Sequence, residues 1–193
     1  MASNMTLFDK GGNRKYLTTE ERQLFLTAAK TSNREVRTFC LMLLYSGCRI
    51  SEVLAIRVKD IDISAKAVII HSLKKRKTNQ YRHIPLSLPF LDELELAFNL
   101  KQLRKKQSTT LLWNWSRSTA SRRVNEVMGK ANIKGIHATP KGLRHSFAIY
   151  ALQKNIPLNM VSKWMGHASL EVTAIYANAM GQEERNIAKR LWE

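Results

Sequence analysis

The stretch from Thr139 to Tyr176 constrains the fold of this chain most strongly, because its apolar residues follow a helical spacing between marked turns. Thr139-Pro140 predicts a helix start, since threonine caps free N–H groups and proline at the first helical position loses no hydrogen bond. Pro157 predicts a second start, and Gly166 predicts the end of that helix. A third amphipathic segment runs to Tyr176. The stretch therefore predicts three short helices.

Four side chains of this stretch suit an anion such as a phosphate. Arg144 lies in the first turn of the first predicted helix, where unpaired N–H groups and the helix dipole favour negative charge. His167 follows the glycine that ends the second helix and should lie on a tight corner. Tyr176 precedes small residues, which predicts a tyrosine that can swing. With Lys141 nearby, the pattern predicts a phosphate site with a nucleophile.

The overall charge indicates a polyanionic partner. The 193 residues include 32 Lys and Arg against 15 Asp and Glu, a formal net charge of +17. Such an excess favours nucleic acid or an anionic membrane surface. No apolar run approaches the roughly 20 residues that span a bilayer, and no signal-peptide pattern opens the chain. We therefore expect a cytoplasmic protein with no membrane partner.

The N-terminal third predicts an arm followed by helices. Residues 1–16 are polar and basic and predict a flexible basic arm, the alternative being plain disorder. Thr18 and Glu21 fit a capping box that opens the first helix. A second helix should run over residues 33–45 and stop before a glycine. Arg49 then starts a further helix, which favours a functional arginine over a solvated surface charge.

A β-hairpin and further helices should follow. Two apolar segments, 68–70 and 83–86, predict its strands. Between them lies a basic cluster that would form a cationic hairpin tip: Lys74, Lys75, Arg76 and Lys77. The alternative is that most of these side chains are only solvated. Residues 88–99 predict a helix, residues 101–106 a basic linker or phosphate contact, and residues 182–192 an amphipathic end helix. The predicted fold class is mainly α with a small antiparallel β-sheet (α+β), in one domain.

These motifs together carry a family resemblance. They are Gly47-Cys48-Arg49-Ile50-Ser51-Glu52, Lys77 before Ile84-Pro85-Leu86, Leu143-Arg144-His145-Ser146, Gly166-His167 and Thr173-Ala174-Ile175-Tyr176. In this order and spacing, the sequence resembles the tyrosine site-specific recombinases, also called the phage integrase family. The resemblance covers residues 17–180 and implies their catalytic domain. It leaves residues 181–193 as a C-terminal helix that could dock on a neighbouring protomer.

The resemblance implies a reaction and its site residues. In the family, a tyrosine attacks a DNA phosphodiester, leaves a 3′-phosphotyrosyl enzyme and a free 5′-hydroxyl, and the strand is then religated without metal or nucleotide cofactor. The nucleophile here would be Tyr176. Arg49 and Arg144 would bind the non-bridging oxygens, a bidentate task suited to arginine. His167 would hydrogen-bond the same phosphate.

Other positions match the family pattern in supporting roles. Lys77 would protonate the leaving 5′-oxygen as general acid, with Lys75 as the alternative. Glu52 would orient a neighbouring catalytic side chain without touching DNA. The remaining basic residues near the hairpin and the helix after it would contact DNA: Lys74, Lys75, Arg76, Arg82, Arg122 and Arg123.

One position departs from the usual family residue. Lys141 stands three residues before Arg144, where most members have histidine and some have lysine. It would hold the phosphate or assist proton transfer from Tyr176, or merely point at the DNA backbone. His137 could substitute in principle, but it precedes the helix cap and is expected on a surface loop. His145 is turned about 100° away from Arg144 on a helix and is given a structural, hydrogen-bonding role.

The resemblance also bears on size and partners. Fewer than 20 residues precede the first predicted helix, whereas many family members carry a separate helical domain there. The chain is thus similar in size to fimbrial-switch invertases or to an isolated catalytic domain, encoded by a bacterium or a mobile element. The implied partners are double-stranded DNA, three further protomers in a homotetramer on DNA, and accessory DNA-bending proteins.

Three other functions are alternatives to a recombinase. A metal-dependent nuclease would need carboxylates near the phosphate, yet Glu126 and Glu171 are the only acids between Ser118 and Tyr176. A DNA-binding regulator without chemistry would not require the tyrosine and the arginines together. A type IB topoisomerase shares the chemistry, so simple DNA relaxation stays open. Size and motif order favour the recombinase.

Overall fold

The fold is mainly helical with one small antiparallel sheet, as the sequence predicts. The computed structural model describes residues 6–72, 80–167 and 169–177. Their elements, in chain order, are α1 (Thr19–Lys30), α2 (Arg34–Ser46), α3 (Ile50–Leu54), a 3-10 turn (Val58–Asp60), β1 (Ile61–Asp62), β2 (Ala67–His71), β3 (Tyr81–Pro85), α4 (Leu88–Phe98), α5 (Leu100–Lys106), α6 (Arg117–Lys130), α7 (Pro140–Gln153), α8 (Leu158–Met165) and α9 (Glu171–Ala177).

The sheet has the order β1-β2-β3, with both pairs antiparallel. Val68 is paired with Ile61 on one side and with Ile84 on the other. Along β3 the side chains alternate, so Arg82 and Ile84 point inward while their neighbours are exposed. The predicted hairpin is confirmed, but the tip, residues 73–79, lies outside the described residues.

The first two helices begin at the predicted positions, and the second also ends at its predicted glycine. The Thr18 hydroxyl accepts from the Glu21 amide at 3.2 Å, and the Glu21 carboxylate accepts from the Thr18 amide at 2.9 Å. Asn33 caps α2 through the Val36 amide. Gly47 ends α2 with a φ of 61°, a left-handed conformation that favours glycine. The chain thus turns sharply into the segment that carries Arg49.

Helix α2 forms the centre of the core. It packs against α1, α4, α6 and α7, and most of its side chains are buried. Trp113 is buried in this core and donates its indole N–H to the Glu35 carbonyl at 3.1 Å. A second apolar cluster joins α7, α8 and α9 through buried residues that include Phe147, Val161 and Tyr176. Each large apolar side chain buried there contributes roughly 1.5–3 kcal/mol.

Residues 6–16 form a packed turn. A β-bridge joins Phe8 to Arg14, and Arg14 donates to the Glu21 carboxylate at 2.6 Å. The same carboxylate lies 3.1 Å from His137, which is buried and not on a surface loop as expected. Burial alone would raise the pKa of Glu21, but Arg14 and the other donors lower it to about 2. The Glu21 carboxylate therefore contacts both the N-terminal turn and the loop before α7. Residues 6–16 are packed in this way, whereas the sequence predicted a flexible arm over residues 1–16; residues 1–5 lie outside the described residues.

Across the part of the chain that the structure describes, none of the helices combines the length and apolar character that crossing a bilayer requires.

Candidate active site

Five of the predicted site residues line one cavity of about 770 Å³. They come from three places in the chain that folding brings together: Arg49, Lys141, Arg144, His145 and His167. Arg49 lies before α3, the next three residues lie in the first half of α7, and His167 follows α8. The cavity is therefore lined by cationic and imidazole groups, which suits a phosphate.

Arg49 lies at the N-terminus of α3, where its backbone is extended. Its guanidinium donates to the Glu52 carboxylate at 3.0 Å, and that carboxylate also accepts from the Arg49 amide at 2.9 Å. About a third of the Arg49 side chain is exposed, whereas Glu52 is buried. Glu52 thus holds both the backbone and one guanidinium nitrogen of Arg49, a residue that lines the cavity.

Arg144 is fixed by two backbone carbonyls. Its guanidinium donates to the Gly47 carbonyl at 2.7 Å and to the Met165 carbonyl at 2.8 Å. Burial and the nearby Arg49 lower the pKa of Arg144 to about 10, so it stays protonated at neutral pH. Arg144 is only 6% exposed, yet it lines the cavity. The positive charge of Arg144 is therefore buried, held by two carbonyls and located at the wall of the cavity.

Lys141 lies in the first turn of α7 and is exposed at the cavity. The Thr139 hydroxyl accepts from the Gly142 amide at 3.1 Å, so the predicted cap starts this helix. Lys141 and Arg144 therefore both come from the N-terminal end of α7. Lys141, which the sequence analysis expected to contact a phosphate, thus lines the same cavity as Arg144.

His167 lies on the predicted corner. Gly166 ends α8 with a φ of 65°, and the amides of Gly166 and His167 donate to the Lys163 and Ser162 carbonyls, each at 3.2 Å. His167 Nδ1 lies 2.8 Å from the Thr173 hydroxyl of α9. The His167 ring stacks on Tyr176 with ring centroids 6.1 Å apart. His167 therefore lies between the cavity and the tyrosine.

Tyr176 lies in the described part of α9 and is fully buried. Its hydroxyl lies 2.8 Å from Nδ1 of His145. Burial raises the pKa of Tyr176, against the opposing effect of Arg144 and Arg49. The tyrosine is therefore neutral and held inside the domain, whereas the sequence suggested one free to swing.

His145 is nearly as buried as its partner, at 1% exposed. Burial, followed by the charges of Lys141, Arg144 and Lys15, lowers its pKa to about 4. His145 is therefore a neutral imidazole at pH 7. The hydrogen-bonding role predicted for it is directed at the tyrosine hydroxyl itself, a partner that the sequence did not predict.

The residues predicted to contact DNA differ in their exposure to solvent. Arg82 is 7% exposed and pairs with Glu52 at 2.6 Å, so direct contact with DNA does not fit its position. Arg122 and Arg123 lie on α6, with 69% and 42% of their side chains exposed, beside Glu126. Lys74, Lys75, Arg76 and Lys77 lie outside the described residues.

Sequence reasoning missed three residues that line the cavity. Arg117 and Ser121 come from α6, and Ile136 comes from the loop before α7. Arg117 and Ser121 are four residues apart on one helix and so share a face, which was the available signal. Ile136 is 49% exposed and carried no chemical signal of its own. The wall that faces Lys141 and Arg144 thus includes a further cation.

Among residues 6–72, 80–167 and 169–177, no three His, Cys, Asp or Glu side chains are grouped in a way that could hold a metal ion.

The chain is similar to known proteins. Residues 15–183 match the model of the phage integrase family. The chain is 29% identical over 150 residues to the tyrosine recombinase XerC of Chlamydia pneumoniae, covering 73% of this chain and 46% of that protein. It is 28% identical over 185 residues to XerA of Pyrococcus furiosus, covering 91% of this chain and 61% of that protein.

A solved structure shares the fold. It is the XerH site-specific recombinase bound to a palindromic difH substrate in a post-cleavage complex, with a TM-score of 0.75 and 22% identity. The match covers 100% of this chain and 58% of that one. The chain therefore spans about half to three fifths of the length of these relatives.

Proposed function

Because the chain belongs to the phage integrase family, we propose that it is the catalytic domain of a site-specific tyrosine recombinase, which breaks and rejoins strands of double-stranded DNA. The observation that carries this proposal is the cavity shared by Arg49, Lys141, Arg144 and His167, with Tyr176 stacked on His167. The net charge of +17 suits a polyanionic substrate. XerC and XerA are named as tyrosine recombinases, and XerH carries a difH substrate after cleavage.

In the proposed reaction, the hydroxyl oxygen of Tyr176 bonds to phosphorus of a DNA phosphodiester while the bond to the 5′-oxygen breaks. The tyrosine gives up its proton to water, and the leaving 5′-oxygen receives one from Lys77 and departs as a hydroxyl. The 3′-phosphate stays on the tyrosine as a phosphodiester. A 5′-hydroxyl of the partner duplex then attacks this phosphorus and returns a proton to Lys77, while Tyr176 is displaced, regains its proton, and the DNA is resealed.

Arg49 and Arg144 stabilise the charge that builds on the non-bridging oxygens. Both guanidiniums line the cavity, and both are held in place by other protein groups before substrate arrives. Donors that are already oriented need no reorganisation during the reaction, and one such donor typically contributes about 10²–10³-fold in rate. The arginines thus supply most of the electrostatic stabilisation.

Lys141 and His167 complete the phosphate site. The exposed ammonium of Lys141 contacts a non-bridging oxygen, or assists proton transfer from Tyr176 by stabilising the phenolate oxygen as the proton leaves. His167 donates a hydrogen bond to the same phosphate from its corner after α8. Glu52 keeps Arg49 in place, and His145 holds the tyrosine hydroxyl in the resting domain.

Attack requires Tyr176 to leave its buried position. Its hydroxyl is engaged with His145, and no part of its side chain is exposed at the cavity. Helix α9 carries the tyrosine and is tied to the cavity wall through Thr173 and His167. A shift of α9 relative to α7 therefore accompanies DNA binding, and this step gates the chemistry.

DNA would be held largely through its phosphates. The exposed arginines of α6, Arg122 and Arg123, with the basic cluster 74–77, are the proposed backbone contacts. Affinity that depends on phosphate contacts falls steeply with salt. The family resemblance further supports assembly of four protomers on DNA with accessory DNA-bending proteins.

The proposal is tested with a pool of nicked duplexes that have a randomised core. Cleavage near the nick releases a short fragment and traps the covalent intermediate. We expect wild-type protein to give a denaturant-stable protein–DNA species whose trapped DNA converges on one sequence. DNA that is bound but never linked would identify a regulator without chemistry. Linked DNA without sequence convergence, together with relaxation of supercoiled plasmid, would identify a topoisomerase.

A further inference from the structure

Arg82 is a buried arginine in the sheet that the proposed chemistry does not use. It lies on β3, the strand that follows the segment with Lys77, and it is 7% exposed. Burying a cation is costly unless its N–H groups find partners. Its contacts therefore indicate what the position requires.

The first contact of Arg82 is with Glu52. One guanidinium nitrogen donates to this carboxylate at 2.6 Å and the other at 3.3 Å. The same carboxylate accepts from the guanidinium and the backbone amide of Arg49. Burial would raise the pKa of Glu52, but Arg82 and then Arg49 lower it, so the group is an anion shared by two arginines.

The second contact of Arg82 is with the end of α8. Its Nε donates to the Trp164 carbonyl at 2.8 Å, while Arg144 donates to the next carbonyl, that of Met165, also at 2.8 Å. Two cations thus bind consecutive carbonyls at a helix C-terminus, where positive charge is favourable. Gly166 follows, and a side chain there would lie within 2.9 Å of the Arg82 guanidinium. The corner that carries His167 is therefore seated against Arg82.

We propose that Arg82 is a positioning residue that holds Arg49 and His167 at the spacing needed to bind one phosphate. It reaches Arg49 through Glu52 and the His167 corner through the Trp164 carbonyl, and it does not touch DNA. This inference rests on the proposed recombinase function, since it deepens the role of the same site.

The sharing of Glu52 explains why loss of Arg82 would affect the chemistry. Without Arg82, the buried Glu52 anion keeps Arg49 as its cationic partner and draws that guanidinium away from the cavity. The end of α8 loses one of its two cations at the same time. A displacement of catalytic groups by about 1 Å can cost on the order of 10²-fold in rate. The loss should therefore appear in the cleavage step and not in DNA binding.

The experiment compares single-turnover cleavage with DNA affinity, on the nicked duplex selected with wild-type protein. The variants are Arg82→Gln, Arg82→Lys and the double variant Arg82→Gln with Glu52→Gln. We expect Arg82→Gln to cleave about 10²-fold more slowly while its Kd for DNA changes by less than about threefold. Arg37→Gln is the matched control, because Arg37 also faces a carboxylate, that of Glu93, but away from the cavity.

The double variant adds a readout that general destabilisation would not give. If Arg82 acts through Glu52, the two substitutions are non-additive, and the double variant loses less than the product of the two single losses. Arg82→Lys keeps a cation beside Glu52 but lacks the guanidinium nitrogen that donates to the Trp164 carbonyl. Its cleavage rate should therefore fall between those of Arg82→Gln and wild type. If Arg82→Gln does not fold, Arg82→Lys carries the same comparison.

Three results would overturn the inference. One is a folded Arg82 variant that cleaves like wild type, and another is additive effects with Glu52. The third is weaker DNA binding with a shallower salt dependence, which would make Arg82 a DNA contact. Failure of wild-type protein to form any covalent species would instead reject the proposed function, so the two failures are distinguishable.

Discussion

The hydroxyl oxygen of Tyr176 lies 2.8 Å from Nδ1 of His145, at a place where neither side chain reaches solvent. This contact joins α9, which carries the proposed nucleophile, to α7, which carries Arg144. The hydroxyl is therefore engaged by a protein group in this structure. The proposed nucleophile is buried and hydrogen-bonded, and its ring stacks on His167.

The first prediction concerns the nucleophile. Tyr176→Phe keeps the ring and its packing but removes the oxygen proposed to attack phosphorus, so we expect normal DNA binding and no covalent species on denaturing gels. The variant also leaves His145 without this hydrogen bond, which should lower the free energy of unfolding by about 1–3 kcal/mol. Tyr150→Phe is the matched control and should still form the covalent species. An adduct in Tyr176→Phe would show that another residue attacks.

The second prediction concerns Lys77, for which the assignment comes from the sequence. General acid catalysis typically contributes about 10²–10⁴-fold, so Lys77→Ala should slow cleavage by that factor. A 5′-bridging phosphorothioate has a leaving group that needs no proton and should restore the rate of this variant. Arg144→Ala should not be restored, because its charge acts on the non-bridging oxygens. Restoration of Lys75→Ala instead would assign the acid to Lys75.

The third prediction is a pH dependence of stability that comes from His145. Its folded pKa is about 4, below the ordinary 6.5, so between these values the unfolded chain binds more protons than the folded one. The stability is fully present above about pH 6.5 and falls as the pH drops toward 4. The loss is on the order of 3 kcal/mol. Denaturant unfolding across this range measures the slope.

A variant separates this effect from other titrations. His145→Gln removes the titrating ring and should flatten the slope between pH 6.5 and 4, whereas His83→Gln, on the exposed side of β3, should not. Glu21 adds a separate loss only as the pH falls below about 4.5, because its folded pKa is about 2. An unchanged slope in His145→Gln would reject the assignment to His145.

The fourth prediction concerns residues 183–193, which lie outside the described residues. Their apolar stripe, with Ile187, Leu191 and Trp192, predicts a helix that docks on the next protomer. Deleting them should leave a folded protein that binds one DNA site but loses cooperative assembly and recombination. A large fall in the melting temperature of the truncated protein without DNA would show that these residues instead pack on their own domain.

Much of the fold could be predicted because its signals are local. Thr18, Asn33 and Thr139 cap helices through bonds within one turn, and Gly47 and Gly166 end helices with positive φ. Such signals depend on neighbouring residues and so are readable in a sequence. The same holds for the position of Arg49 at a helix N-terminus.

Contacts between distant residues could not be predicted in this way. Arg82 follows a basic cluster in the sequence, yet its strand position turns it inward onto Glu52. His137 precedes a helix cap, and only the fold brings Glu21 beside it. The partner of His145 was equally hidden, because spacing gave its direction from Arg144 but not the approach of α9. In each case a long-range contact decides the role of a polar residue.

The two carbonyls that hold Arg144 also connect catalysis to the folding of the chain. Gly47 and Met165 lie 97 and 21 residues from Arg144 in the chain, on either side of it. Closing both loops requires the first helices and the end of α8 to be in place, and the conformational entropy lost in closing a loop grows with its length. The oriented guanidinium of Arg144 therefore depends on contacts from both directions along the chain. Under the proposed function, strand cutting would require both of these loops to be closed.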